Sequence, residues 1–204
     1  SFSMGLTDSG KNKSRLAILK ESLRDVLQGV KDVNGNYTTT PLPDNTIVGL
    51  STFGTGPRHG RIVVPARALN TMVASKSQRQ VLLEEINKIN SDASTPTSLL
   101  YGETVGYLLG NSMTSPVNIE ILNNGTEDGR HTKFDEINNS EIKSSSTYVS
   151  PMSNLSVDEQ QCSAQGIFVF TDGAPTNISP IIAEPLYKNA LSDRSFSCTS
   201  TETP

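Results

Sequence analysis

The chain has no tryptophan, two cysteines, two histidines and only 5% aromatic residues over 204 positions. Two cysteines are too few for a disulfide framework or a cysteine zinc site, and His59 and His131 cannot supply a histidine-rich metal site. Cations are in the minority: 17 Lys and Arg against 21 Asp and Glu leave a net charge of −4 and a pI near 5.2. A surface that tracks nucleic-acid phosphates needs a clustered positive excess, so that class is set aside. No apolar run approaches the ~20 residues a helix needs to cross a bilayer. There is no Gly-x-Ser-x-Gly elbow and no carboxylate pair spaced for acid–base work, so the chain is not expected to be an enzyme. It opens on Ser1 rather than on Met and a basic segment, which leads to the expectation of a processed chain or part of a longer one.

What is abundant is small, polar and uncharged. Ser 26, Thr 20 and Asn 16 make up roughly three residues in ten, while apolar residues reach 34% and mean hydropathy is −0.32. The core is therefore modest for the length, and the composition accords with an exported protein. Six Asn-x-Ser/Thr sequons begin at Asn12, Asn36, Asn124, Asn138, Asn154 and Asn177, a number that chance explains in so Asn-rich a chain. In an oxidising compartment Cys162 and Cys198 are expected to form one staple, for which the chain-entropy model gives about 3–4 kcal/mol. The alternative is two unrelated thiols.

Periodicity predicts a helix over Lys11–Val30, with Leu16, Leu19, Leu23, Val26, Leu27 and Val30 on one stripe and a turn at Asp32–Asn36 behind it. Ile47–Phe53 reads as a buried strand and Arg61–Val64 as a second, ended by Pro65, the two suiting a hairpin with a longish loop. Ser75 with Gln78 offers a capping box for a helix running to Asn90. Pro96 opens a third helix that closes at Gly110. From Asn111 to Gln161 the pattern dissolves into a long polar insertion with few core residues and a short strand or hairpin. Gly166–Thr171 then reads as a continuous apolar strand running into Asp172, and Pro180 opens a last helix. Helices and strands in this order predict an α/β layered domain over 1–204, with its ligand site beyond the carboxyl ends of the strands.

Three short motifs fall where such a site would form: Ser1-x-Ser3-Met4, Ser94-Thr95-Pro96 and Phe170-Thr171-Asp172-Gly173-Ala174-Pro175. Together they resemble the metal-ion-dependent adhesion site of von Willebrand factor A domains, which reads Asp-x-Ser-x-Ser, then a Thr, then a distal Asp. The resemblance implies Ser1, Ser3, Thr95 and Asp172 as metal ligands. Three hydroxyls and one carboxylate are hard oxygen donors suited to Mg²⁺ or Mn²⁺, or to Ca²⁺. It also implies a Rossmann-like, doubly wound sheet interrupted by the 111–161 insertion. Measured against that family, the chain lacks the first central strand, the Asp two residues before Ser1, and the last strands. Metal binding is expected to be weak without that upstream Asp.

Within the family, the long insertion, the run Tyr148-Val149-Ser150-Pro151, Gln161-Cys162 and the strand Gly166-Ile-Phe-x-Phe-Thr-Asp-Gly173 are similar to the N-terminal domain of type IV pilus tip adhesins of the PilY1/PilC kind. That likeness implies a protein exported to the cell surface, pilus tip or outer membrane of a Gram-negative bacterium, acting in adhesion, pilus assembly or twitching motility. Its partners would be a host or surface ligand with an oxygen donor and the minor pilins of the tip, with no nucleic acid and no membrane span. The alternative is a structural or priming module of the tip with a vestigial metal site.

Overall fold

The computed structural model describes residues 13–53, 60–91, 95–111, 137–153, 155–171, 180–193, 195 and 197. They form a mixed helix-and-strand chain: α1 (Arg15–Gln28), β1 (Val30–Lys31), β2 (Tyr37–Thr39), β3 (Ile47–Phe53), β4 (Gly60–Ala68), β5 (Met72–Val73), β6 (Lys76–Ser77), α2 (Gln78–Lys88), α3 (Thr97–Leu109), β7 (Lys143–Ser144), β8 (Thr147–Tyr148), α4 (Val157–Cys162) and α5 (Pro180–Ala190). Among the described residues the strands pair in twos, β1 with β2, β3 with β4, β5 with β6 and β7 with β8. The chain divides into two compact units, Ser1–Leu50 with Val63–Ala93 and Thr171–Gly173, and Ser51–Ile62 with Ser94–Phe170 and Ala174–Pro204.

In the first unit, α1 starts where the Ser14 hydroxyl accepts the Ala17 amide at 3.2 Å. It stops at Gly29, whose φ of +73° suits glycine and where a Cβ would stand 2.6 Å from the Thr39 carbonyl. The predicted stripe is only partly used. Leu27 is buried and Leu23 packs beside it, but Val26 is 48% exposed and Val30 has passed into β1. Adjacent residues on a helix point about 100° apart, and the face packed here is centred on Leu23 and Leu27, which leaves Val26 at its edge. Leu27, Val64, Leu69, Leu82 and Ile86 make the apolar centre, with Val48, Leu50 and Leu42 packed around it.

The capping box of α2 is Ser77 with Gln80, two residues beyond the expected pair. The displacement has a clear cause. Met72–Ser77 is taken up by the β5–β6 hairpin, and the Gln78 side chain is drawn inside. Its Nε2 donates to the Val48 carbonyl (2.9 Å) and the Pro65 carbonyl (2.8 Å), and its Oε1 accepts from Arg67 Nη1 (2.9 Å). β4 likewise continues through Pro65 to Ala68 instead of ending there. In a two-stranded pair alternate amides face away from the ladder, so a missing donor need cost nothing.

In the second unit, α3 closes on Gly110 in the left-handed region, as its sequence predicts. Gly102 lets α5 approach: a Cβ there would lie 2.9 Å from Leu186 Cδ2. Leu99, Tyr107, Ile142, Tyr148, Ala183, Leu186 and Ala190 are buried. Two of these, Ile142 and Tyr148, belong to the stretch read as an insertion with few core residues. That expectation is corrected from Ile142 on. The short hairpin expected in this stretch is β7–β8, closed by Lys143↔Tyr148 pairing, and it supplies part of the interior.

Gly166–Thr171 differs more sharply. It is not a strand here, and Phe168 (85%), Phe170 (54%) and Val169 (41%) are exposed. An apolar run adopts a ladder only where neighbouring strands flank it, and among the described residues none does. The first unit yields a direct prediction. Gln78→Leu keeps the volume but strands the Val48 and Pro65 carbonyls, and should cost about 1–3 kcal/mol in urea unfolding. A change of a few tenths would show that the buried amide does not matter.

Candidate functional site

The approach to α3 is the one stretch of the expected metal site within the described residues. Thr95 is 4% exposed and Pro96 is fully buried. The Thr95 carbonyl accepts the Thr97 amide at 2.8 Å, and the Pro96 carbonyl accepts the Leu100 amide at 3.0 Å, so the helix begins directly after Thr95. Pro96 stands at the N-cap, one position earlier than the first helical turn expected for it, and no side chain caps the helix. One turn in, Ser98 Oγ is buried without a hydrogen-bond partner among the described residues. Ser1, Ser3 and Asp172 lie outside those residues, as do His59 and His131.

Chemically, the expected donor set is one carboxylate and three hydroxyls, which fits a hard divalent cation and leaves it undersupplied with negative charge. The positive end of the α3 macrodipole also favours an anionic oxygen near Thr95. Among the described residues no three His, Cys, Asp or Glu side chains group as a metal-holding cluster. Cys162 is exposed at the end of α4 and forms no disulfide among the described residues, while Cys198 lies outside them.

The place of Thr95 depends on how α3 is held. Tyr187 Oη donates to the Ser98 carbonyl at 3.0 Å, fastening the first turn to α5. Thr104 Oγ1 donates to the Leu100 carbonyl (2.8 Å) and lies 2.9 Å from the Ser51 hydroxyl. A side chain at Gly60 would run into the Leu100 backbone, so β4 approaches α3 at contact distance there. Farther along, Asn111 Nδ2 donates to the Ala190 carbonyl at 2.7 Å and joins the ends of α3 and α5.

At mid-helix sits a residue that sequence reasoning missed. Glu103 is fully buried and accepts a hydrogen bond from the Tyr148 hydroxyl, whose ring packs edge-on against Tyr107 at 5.7 Å between centroids. Burial, and then the Glu103 carboxylate, push the Tyr148 phenol far above its usual titration range, so it stays a donor at any physiological pH. One signal was available. Glu103 is the single charged residue in the thirteen of α3, and a lone carboxylate on an otherwise uncharged helix between Gly102 and Gly106 is placed for the interior.

No protein-family model, curated protein or solved structure matches this chain. The site is therefore read from its own residues. Tyr148→Phe removes the phenol from Glu103 and should destabilise the protein by on the order of 1–3 kcal/mol, whereas Phe at the exposed Tyr37 should stay within ~0.5 kcal/mol. Equal effects at the two positions, measured by chemical unfolding, would remove the Glu103–Tyr148 bond from the account.

Proposed function

We propose that the chain is a segment of a von Willebrand factor A-like, doubly wound domain acting as a divalent-cation-dependent adhesion module of a type IV pilus tip-associated protein. What supports this is the ordered recurrence of Ser1-x-Ser3, Thr95-Pro96 and Thr171-Asp172-Gly173, with Thr95 buried at the immediate entry to α3. In this reading the hydroxyls of Ser1, Ser3 and Thr95 and the carboxylate of Asp172 hold Mg²⁺, Mn²⁺ or Ca²⁺. Bound there, the cation supplies a Lewis-acidic centre for an oxygen donor of the partner. The chain's own contribution is to position few donors and little charge, so that a carboxylate of the host or surface ligand completes the shell. Minor pilins are the second partner, and the protein is exported to the cell surface, pilus tip or outer membrane.

Adhesion through the metal should vanish with EDTA, return with Mg²⁺ or Mn²⁺, and be lost in Thr95→Ala, which removes one ligand oxygen and no charge. Asp172→Ala should abolish calorimetric Mg²⁺ or Mn²⁺ binding by the intact parent domain while leaving its fold in place. A tip scaffold with a vestigial site gives the opposite pattern. Pili then assemble and adhere despite EDTA and Thr95→Ala, and only a core change such as Leu82→Ala does harm.

Export sets a second expectation, since structural disulfides persist where the compartment is oxidising. Cys162 and Cys198 should be joined in unreduced peptides of periplasmically produced protein. Two alkylatable thiols in that preparation would overturn the pairing.

A further inference from the structure

The loop between β1 and β2 carries an Asn-Gly step that the adhesion reading leaves unused. Its residues are all exposed, and Val33 at the tip is completely so at 101%. Asp32 organises the backbone. Its Oδ1 accepts the amides of Asn34 (2.8 Å) and Asn36 (2.9 Å), its carbonyl accepts the Gly35 amide (3.1 Å), and its own amide donates to the Asn36 carbonyl (2.8 Å). The Asn34 side-chain amide makes no hydrogen bond among the described residues. Gly35 has a φ of +85°, and among the described residues no atom beyond its two chain neighbours lies within 4 Å of the place a Cβ would occupy.

We propose that Asn34–Gly35 is a site of spontaneous deamidation. The Gly35 amide nitrogen gives its proton to hydroxide and attacks Asn34 Cγ. The new N–Cγ bond closes a five-membered imide as the Cγ–Nδ2 bond breaks, and the leaving nitrogen takes a proton from water to depart as ammonia, which regenerates hydroxide. Water then opens the ring at either carbonyl, which gives an aspartyl residue or an isoaspartyl one whose main chain runs through the former side chain. Water and hydroxide are the sole co-reactants.

Two ordinary obstacles are absent here. The residue after Asn34 has no side chain to block the attack, and among the described residues nothing covers the loop. The remaining restraint is the set of four exposed bonds around Asp32, of which one holds the Gly35 amide itself, and local opening releases them. Either product sets a second carboxylate beside Asp32. The isoaspartyl form also lengthens the backbone inside a hairpin whose register places Lys31 opposite Tyr37, with Lys31 Nζ 4.6 Å from the Tyr37 ring centroid. Charge and register of this protruding hairpin therefore change with the age of the molecule.

Incubation of the full chain at neutral and mildly alkaline pH, followed by peptide mass spectrometry with isoaspartate detection, tests the site. Asn34 should lose its amide on the order of tenfold faster than Asn36, Asn45 and Asn70, which are equally exposed but precede Tyr37, Thr46 and Thr71. The rate at Asn34 should rise with pH. Conversion of Asn34 no faster than of those three, or at a rate indifferent to pH, would overturn the proposal.

Discussion

The carboxamide of Gln78 is the tie on which the first unit depends. A two-stranded pair such as β3–β4 is marginal by itself and turns inward carbonyls that need donors. Gln78 meets two of them, at Val48 and Pro65, from the first turn of α2, and so joins helix to sheet through the apolar centre. Its neighbour Arg79 does the same at the other side: it donates to the Leu27 carbonyl at the end of α1, to the Leu42 carbonyl (2.7 Å) and to Asp44 (2.8 Å). The Ser77–Gln80 box fixes where α2 begins and hence where both side chains reach. With apolar residues at 34% of the chain, polar side chains that bridge carbonyls take over part of the work that a larger core would do.

The second unit repeats the device with a charged group. Glu103 occupies the interior face of α3, beside glycines that let neighbouring elements come close, and Tyr148 satisfies it from the β7–β8 hairpin. A buried carboxylate is costly unless it is hydrogen-bonded, so the hairpin and the helix specify one another's position. Tyr187 and Asn111 add bonds between α3 and α5 near both ends. α3 is consequently held along its length, and Thr95, immediately before it, inherits that order. What the structure contributes to the proposed adhesion reading is that Thr95 is buried just before a helix restrained on several sides.

Local signals were legible where a residue's own chemistry decides the outcome. Gly29 and Gly110 end helices because they adopt positive φ, and Asp32 and Gly35 make a turn whose bonds are all local. The pairing of Ile47–Phe53 with the strand after Gly60 was visible in the two apolar runs around a glycine-rich loop. The helix from Thr97 to Leu109 followed from a Pro at its start and a Gly at its end. For the candidate site, Thr95 was legible by motif, but its burial and the bonds that hold its helix were not, because they come from residues far along the chain.

Sequence alone thus determined the presence of α1, α2, α3 and α5, the β1–β2 turn and the β3–β4 pair, since each rests on neighbours in the chain, but neither α4 nor the ends of α1 and the start of α2. Tertiary structure decided which polar residues go inside. Gln78 reads as a capping residue, and the lone charge of α3 marks Glu103 without naming its partner; both are buried because the assembled units bring the Val48 and Pro65 carbonyls to the one and the Tyr148 phenol to the other. It likewise decided that Ile142 and Tyr148 belong to a core and that Phe168 does not. Burial is a property of what arrives on the other side of a residue, and no local pattern encodes that arrival.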